Sequence, residues 1–372
     1  MTTSRTQSAF VPDTSAFNRS RAVRVGNHIA VASTAASWPD GHWDPDPEAQ
    51  AKRCLELIVA SLKELGAGPQ DIVRTWVWQR HPSDSPAIAR AHSAVLGDVQ
   101  PATTNLTVTG FLDPRCSVEI EAEAVVGEHR ERISVMAAGW SRALKVGNRI
   151  HVSCTAPIPA EAGVSCDPDP EAQAQRCTEI IGQALMKAGA EFKHVISTRV
   201  WVKDPNDAAA VTKVHHSAFG VAQPAFTELV VQYNRPDWRV EMEVEADVSA
   251  GRENIHYLQQ PDQPWSRGVK VGNRVVVATS APRSEDGHTD PDAGAQARRC
   301  WEVVLGTLKA AGANPEHVVR ARIYLRHPAD ADAVAQATLA MLGESKPAIS
   351  VLAIHGFLRP EWRVELEAEA II

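Results

Sequence analysis

The 372-residue sequence predicts an α+β protein built from three tandem β-β-α-β-α-β-β units. Three observations carry this. A Pro-Ala step recurs at Pro101-Ala102, Pro224-Ala225 and Pro347-Ala348. An alternating run ends each unit, as Val118 to Ala124, Val240 to Ala246 and Val364 to Ala370, with glutamate at every second position. A Gly-Asn turn opens each unit, at Gly26-Asn27, Gly147-Asn148 and Gly272-Asn273. A period of about 120 residues is domain-sized rather than the 20–50 of a solenoid. The divisions fall at 1–129, 130–258 and 259–372, with an N-terminal arm on the first.

Residues 1–18 are polar and read as a loose surface arm. The alternating runs either side of Gly26-Asn27 form a hairpin. Asp46 caps and Pro47 starts a long helix that runs to about Leu65, with Leu55, Ile58, Val59 and Leu62 as its apolar stripe. Its counterparts run from Pro170 to Lys187 and from about Pro291 to Ala311. Strands follow at Ile72 to Trp78, Val195 to Val202 and Val318 to Leu325. A second helix covers roughly 84–96, 207–219 and 330–342, each beginning at an aspartate (Asp84, Asp207, Asp330) that reads as a cap. Two strands around a proline turn close the unit. The links near 127–132 and 251–264 are short and polar.

Two helices cover one face of such a sheet, so the other face needs a partner. Three sheets packed about a pseudo-threefold axis meet that need, and fusion fixes their stoichiometry. Trp76, Trp78, Trp201 and Tyr324 then belong to the inter-sheet core. Glu119, Glu121 and Glu123 share one strand face, as do their repeats, so nine carboxylates come to like surfaces. Any buried among them need arginine partners or a proton.

A net charge of -7 offers no electrostatic footprint for nucleic acid, and no run of 18 apolar residues exists to span a membrane. Six cysteines are too sparse for a disulfide scaffold. Cys54, Cys177 and Cys300 share a helical position and read as buried apolar residues of a reducing cytoplasm. His92 and His215 repeat on the second helix, as boundary residues or as a polar wall. No histidine, cysteine and acid stand at metal-ligand spacing, and no glycine loop cradles phosphate, so neither metal nor cofactor is implied.

The Gly-Asn-flanked strands, the Pro-Ala step and the Val-Glu-Ile-Glu ending together resemble the Rid family, also called YjgF/YER057c/UK114. The likeness spans about 17–125, 138–247 and 263–372. It implies a chorismate-mutase-like fold and a trimer, here an intramolecular pseudo-trimer with inter-domain clefts, monomeric or weakly dimeric as a chain. It also implies hydrolysis of reactive imines and enamines. By the same resemblance Glu119, Glu241 and Glu365 orient the attacking water. The family's carboxylate-binding arginine follows the Pro-Ala step, where this chain has Thr103, Phe226 and Ile349. Its first-strand tyrosine is replaced by Arg19, Trp140 and Trp265, and a glycine on the second strand by Thr34, Thr155 and Ser280. A repeated arginine beside these, Arg21, Arg142 or Arg267, stands ready to bind substrate or to pair with a strand glutamate.

The resulting expectation is a cytoplasmic hydrolase or deaminase acting on a small imine, enamine or related C–N compound. The alternative is a non-catalytic small-ligand binder of the same fold. Because the three residue sets differ, the three clefts are expected to differ, one or two working and at least one chiefly structural.

Overall fold

The computed structural model describes residues 4–8, 16–136, 139–159, 161 and 164–372. In each unit the hairpin strands come first, at Ala22–Val25 and His28–Ala35, Ser141–Val146 and Arg149–Thr155, and Gly268–Val271 and Arg274–Ser280. The glycine of each hairpin turn has positive φ, 62°, 56° and 59° at Gly26, Gly147 and Gly272, which a side chain resists. The closing strands Val118–Val125, Val240–Asp247 and Val364–Ile371 lie beside the second hairpin strand. They pair antiparallel on their other side with Ile72–Gln79, Val195–Val202 and Val318–Leu325. Those middle strands pair parallel with Ala102–Thr107, Ala225–Val230 and Ala348–Ala353.

The long helices are α1 (Pro47–Glu64), α3 (Pro170–Lys187) and α5 (Ala293–Ala310), and the shorter ones α2 (Ser85–Leu96), α4 (Ala208–Phe219) and α6 (Ala331–Leu342). Each pair buries its apolar stripe on one face of its own sheet, giving three separate cores. Asp46, Asp169 and Asp292 cap the long helices through the backbone N–H groups of Glu48, Glu171 and Ala295. The aspartates before the short helices do not cap. Each ends a 3-10 turn in helical conformation and makes no side-chain cap bond, and Asp207 and Asp330 instead pair with Arg239 and Arg363.

The Pro-Ala step is the seam between units. Ser141 donates its backbone N–H to Pro101 O at 3.1 Å, Ser266 to Pro224 O at 2.9 Å and Ser20 to Pro347 O at 3.0 Å. The third contact joins unit 3 to unit 1 and closes the ring. The polar links are also more ordered than their composition suggests: Arg130–Val135 and Arg252–Ile255 are strands. Arg130 donates to the carbonyls of Asp71, Ile72 and Val125, so the arm of unit 2 clasps unit 1. Arg252, whose strand pairs with Gly268–Val271 of unit 3, clasps unit 2 in the same way, through the carbonyls of Val195 and Ala222. The N-terminal arm, read as loose, carries its own strand at Arg5–Gln7, and Arg5 reaches the carbonyls of Glu316, Val318 and Ser345 in unit 3. Each arm thus clasps the unit before it, round the whole ring.

The helix-free sheet faces meet on the axis. One end is an apolar plug of Trp78, Trp201, Tyr324, Leu106, Leu229 and Leu352, with the Trp201 ring 5.8 Å from Trp78 and 6.3 Å from Tyr324. At the other end the three Gly-Asn turns surround a cavity of about 520 Å³.

Candidate functional site

The three glutamates of each closing strand share a face, yet they meet two environments. Glu121, Glu123, Glu243, Glu245, Glu367 and Glu369 lie on the axis. Facing them are Arg74, Arg149, Arg199, Arg274, Arg320 and Arg322, so charge balances. Glu243 accepts from Arg74 and Arg199 at 2.9 Å each and from the Trp76 indole N–H at 2.8 Å. Burial alone would raise it, but Arg74, Arg199 and Arg322 hold its carboxyl down at about 2. Burial likewise opposes ionisation of Glu123, Glu245, Glu367 and Glu369, and neighbouring arginines outweigh it, leaving all four below the ordinary range.

The arginines are not threefold symmetric. Middle-strand positions paired with the second glutamate hold Trp76, Arg199 and Arg322, and those paired with the third hold Arg74, Ser197 and Arg320. The position after each Gly-Asn turn holds His28, Arg149 and Arg274. Each layer has two arginines and one other residue. A homotrimer could place only three or none per layer.

Two groups here have metal-ligating atoms within 4.8 Å of one another, His28/Glu123/Glu369 and Glu123/His151/Glu245. They show no ligand spacing along the chain because they assemble across units. Their carboxylates are already held by Arg149, Arg274 and Arg320, and burial holds His28 and His151 near neutral imidazole, down at about 4 and 3. A dication would have to displace an arginine from a balanced network, so the residues do not fit a metal.

Glu119, Glu241 and Glu365, the first of each three, are buried in the seams, and no ion pair to them is formed among the described residues. Ser33 donates to Glu119, and the Cys154 thiol donates to Glu241 at 3.1 Å. Burial raises Glu241 to about 7, against the Cys154 hydrogen bond and Arg142. It raises Glu365 to about 8, against a hydrogen bond from Thr279. Glu119 is also raised by burial, with Ser33, Arg19 and Arg21 opposing. Glu241 and Glu365 thus hold their protons near neutrality, the condition a general acid or base requires.

The other expected site residues gather at the same seams. Between units 1 and 2, Thr103 donates its backbone N–H to Ser153 Oγ at 2.8 Å. Its hydroxyl lies 3.1 Å from that of Thr75, which is 3.0 Å from His92 Nε2. Arg142 reaches Thr155 Oγ1 at 3.2 Å, and Trp140, two residues before it, is half-buried. Between units 2 and 3, Phe226 stacks on His215 with centroids 4.1 Å apart, and Trp265 stands edge-on to Phe226 at 6.4 Å. Arg267 lies over the Trp265 ring at 5.1 Å. Between units 3 and 1, Arg19 donates to the carbonyl of Ile349 at 2.6 Å, and Arg21 is buried close by, with Arg19 among the charges that lower its pKa.

Two pairs of placements differ from the sequence reading. Thr34 and Thr155 are fully buried and donate to the carbonyls of Ala32 and Ser153, both at 2.9 Å. The residues one earlier, Ser33, Cys154 and Thr279, are the ones that reach the glutamates. His92 and His215 are core residues rather than boundary ones, bonded to Thr75 and Thr198. Sequence reasoning also missed Glu228, buried between α4 and its own strand.

The sequence profile of the family described as Endoribonuclease L-PSP matches residues 12–126, 131–248 and 257–372. An uncharacterized protein of Streptomyces coelicolor is 38% identical over 112 residues, 30% of this chain and 84% of its own. A RutC family protein of Pyrococcus abyssi is 36% identical over 104 residues, 28% of this chain and 82% of its own. A solved Mycobacterium tuberculosis member of the YjgF/YER057c/UK114 family is 35% identical. It covers 33% of this chain and all of its own, with TM-score 0.30. A chorismatase structure, 14% identical, covers 81% of this chain and 93% of its own with TM-score 0.51, a likeness of fold across the units. The chain belongs to the Endoribonuclease L-PSP family, the Rid or YjgF/YER057c/UK114 group, as three tandem domains arranged as a pseudo-trimer.

Proposed function

We propose that the protein hydrolyses a small imine, enamine or related carbon–nitrogen compound at an inter-unit seam, with Glu119, Glu241 or Glu365 handling the proton of the attacking water. One observation carries this reading. On strands where every other glutamate is neutralised by arginine, the first is, among the described residues, left without an ion pair at a junction of two units. A carboxyl with a pKa near neutrality exchanges protons efficiently at working pH. Family membership supports a small-molecule hydrolase of this kind, and the net charge of -7 favours a small substrate over RNA.

A structural role without turnover is favoured at one seam. Arg19 extends across the junction of units 3 and 1 to the Ile349 carbonyl, and Ile349 is fully buried. That seam is filled by the protein's own side chain.

The test is ammonia release from freshly generated imines and enamines, using wild type beside Glu119→Gln, Glu241→Gln and Glu365→Gln. Turnover lost in Glu241→Gln or Glu365→Gln supports the reading and locates the working seam. Release no faster than buffer across the panel, with a retained bound ligand, selects a binding role without turnover.

A further inference from the structure

The seams differ in the charges that act on the first glutamate. Between units 1 and 2, Glu241 faces Arg142 alone. Between units 3 and 1, Glu119 faces both Arg19 and Arg21. Between units 2 and 3, Glu365 faces one arginine, Arg267, and a second carboxyl, Glu228. Glu228 occurs in that unit only: strand register puts Asn105 and Val351 at the same position in units 1 and 3. Thr212 on α4 donates to both its carboxylate oxygens, at 3.1 and 2.9 Å. The helix positions equivalent to Thr212 hold Ala89 and Ala335, so carboxyl and hydroxyl arrive together in one unit.

Glu228 is two residues from Phe226, on the same strand face, and Thr227 between them accepts the backbone N–H of Thr279, the residue that bonds Glu365, at 3.0 Å. The groups around this seam are Thr212, His215 and His216 from α4, Trp265 and Arg267 from the entry to unit 3, and Thr279 and Glu365 from its sheet. Burial holds His215 well below its ordinary pKa, so it contributes no charge. Ser280 Oγ is fully buried without a partner here, where its counterparts Thr34 and Thr155 bond their own backbone. With one guanidinium near two buried carboxyls and no ion pair to either among the described residues, the two are placed to share a proton. Burial raises Glu228 to about 7, as it raises Glu365 to about 8.

We propose that Glu228 and Glu365 form an acid–base pair in the seam between units 2 and 3, acting on an uncharged planar or aromatic imine held against Phe226 and Trp265. This rests on the hydrolytic reading above. The ionised member takes a proton from water as the water oxygen bonds to the C=N carbon. The protonated member gives its proton to nitrogen as the π pair moves there. The carbinolamine then reverses the roles. The newly ionised carboxylate takes the hydroxyl proton as C=O forms, and its partner protonates the departing nitrogen. One imine and one water give one carbonyl compound and one ammonia, and the pair returns to its starting state. An aromatic ring fits the Phe226 face, and a substrate carboxylate meets two acidic groups for one arginine.

The probes are the imine of 2-phenylethylamine and the imine of phenylalanine, generated by the corresponding oxidases and followed by semicarbazide trapping. They share a ring and differ by a carboxylate. The wild type is expected to favour the uncharged imine at least about tenfold in kcat/KM. Glu228→Gln is expected to lose on the order of 10²-fold in kcat with KM little changed, and its pH profile to lose one limb of the bell. Glu228→Asp is expected to restore part of that limb. Hydrolysis lost in Glu365→Gln but untouched in Glu228→Gln overturns the pair and leaves the hydrolytic reading standing. If neither imine is hydrolysed, the hydrolytic reading fails, and the ligand assignment is decided by tryptophan fluorescence with benzamide and benzoate. Benzamide binding, lost in Phe226→Arg, sustains the assignment; preference for benzoate, or no binding of either, overturns it.

Discussion

Glu241 and Glu243 are two residues apart on one strand face and both are buried, yet one is raised to about 7 and the other held at about 2. Desolvation penalises both. The difference lies in their partners: Glu243 is enclosed by Arg74, Arg199 and the Trp76 indole, while Glu241 accepts a thiol hydrogen bond and has Arg142 as its one attracting cation. Axial glutamates are therefore structural counter-ions and seam glutamates are titratable groups. The same residue, repeated along one strand, serves two purposes because the pseudo-threefold packing brings arginines into ion-pair contact at the axis and, among the described residues, leaves them short of it at the seams.

The largest expected effect that separates the regions is on stability. Glu243→Gln leaves Arg74 and Arg199 buried without their carboxylate and is expected to cost about 3–5 kcal/mol in denaturant unfolding. A loss below about 1 kcal/mol contradicts the counter-ion role.

The second effect is on pH dependence and has opposite signs at the two places. Burial pushes the Glu365 carboxyl up to about 8 from the ordinary 4.5, so its contribution is fully present below 4.5 and is lost as pH rises through 8. Glu365→Gln is thus expected to flatten the alkaline fall in stability, by an amount on the order of a few kcal/mol between pH 5 and 9. Glu243, held at about 2, contributes stability above 4.5 that is lost as pH falls towards 2. Melting temperatures of wild type and Glu365→Gln across this range decide it; parallel curves reject the raised carboxyl.

A smaller effect concerns selectivity between seams. Phe226→Arg adds a second cation beside Glu365 and is expected to move preference towards the carboxylated imine by about tenfold, or about 1.4 kcal/mol. The smallest concerns ring closure. Arg5→Ala removes bonds to three carbonyls of unit 3 and is expected to cost about 1 kcal/mol. An equal melting temperature in that variant would return the arm to the loose role its composition suggests.

The fold was legible because the repeat is strong: the Gly-Asn turns, the helix stripes and the alternating closing strands each carry local physics that needs no partner. What crosses units was not. Pro101 and Ser141 meet across a seam, 40 positions apart in the chain, and nothing local marks either as a hydrogen-bond partner. Arg130 and Arg252 sit in polar links whose composition reads as loop, yet their guanidinium groups bind carbonyls of the preceding unit. The alternation of Glu119, Glu121 and Glu123 was visible, and so was their need for arginines. Which glutamate would go without one depends on the axis. Glu228 and Thr212 had a usable signal, a paired departure from the repeat within unit 2, but reading it required knowing that the helix and the strand face each other.

The most direct test of the division between axis and seam is a carbon NMR titration of the protein labelled at glutamate Cδ, with Glu228→Gln, Glu241→Gln and Glu365→Gln assigning the resonances. Carboxyls at Glu228, Glu241 and Glu365 that titrate near 7 to 8, with Glu123, Glu243, Glu245, Glu367 and Glu369 ionised throughout that range, are the predicted result. Seam glutamates titrating near 4.5, or axial ones titrating alongside them near neutrality, contradict it.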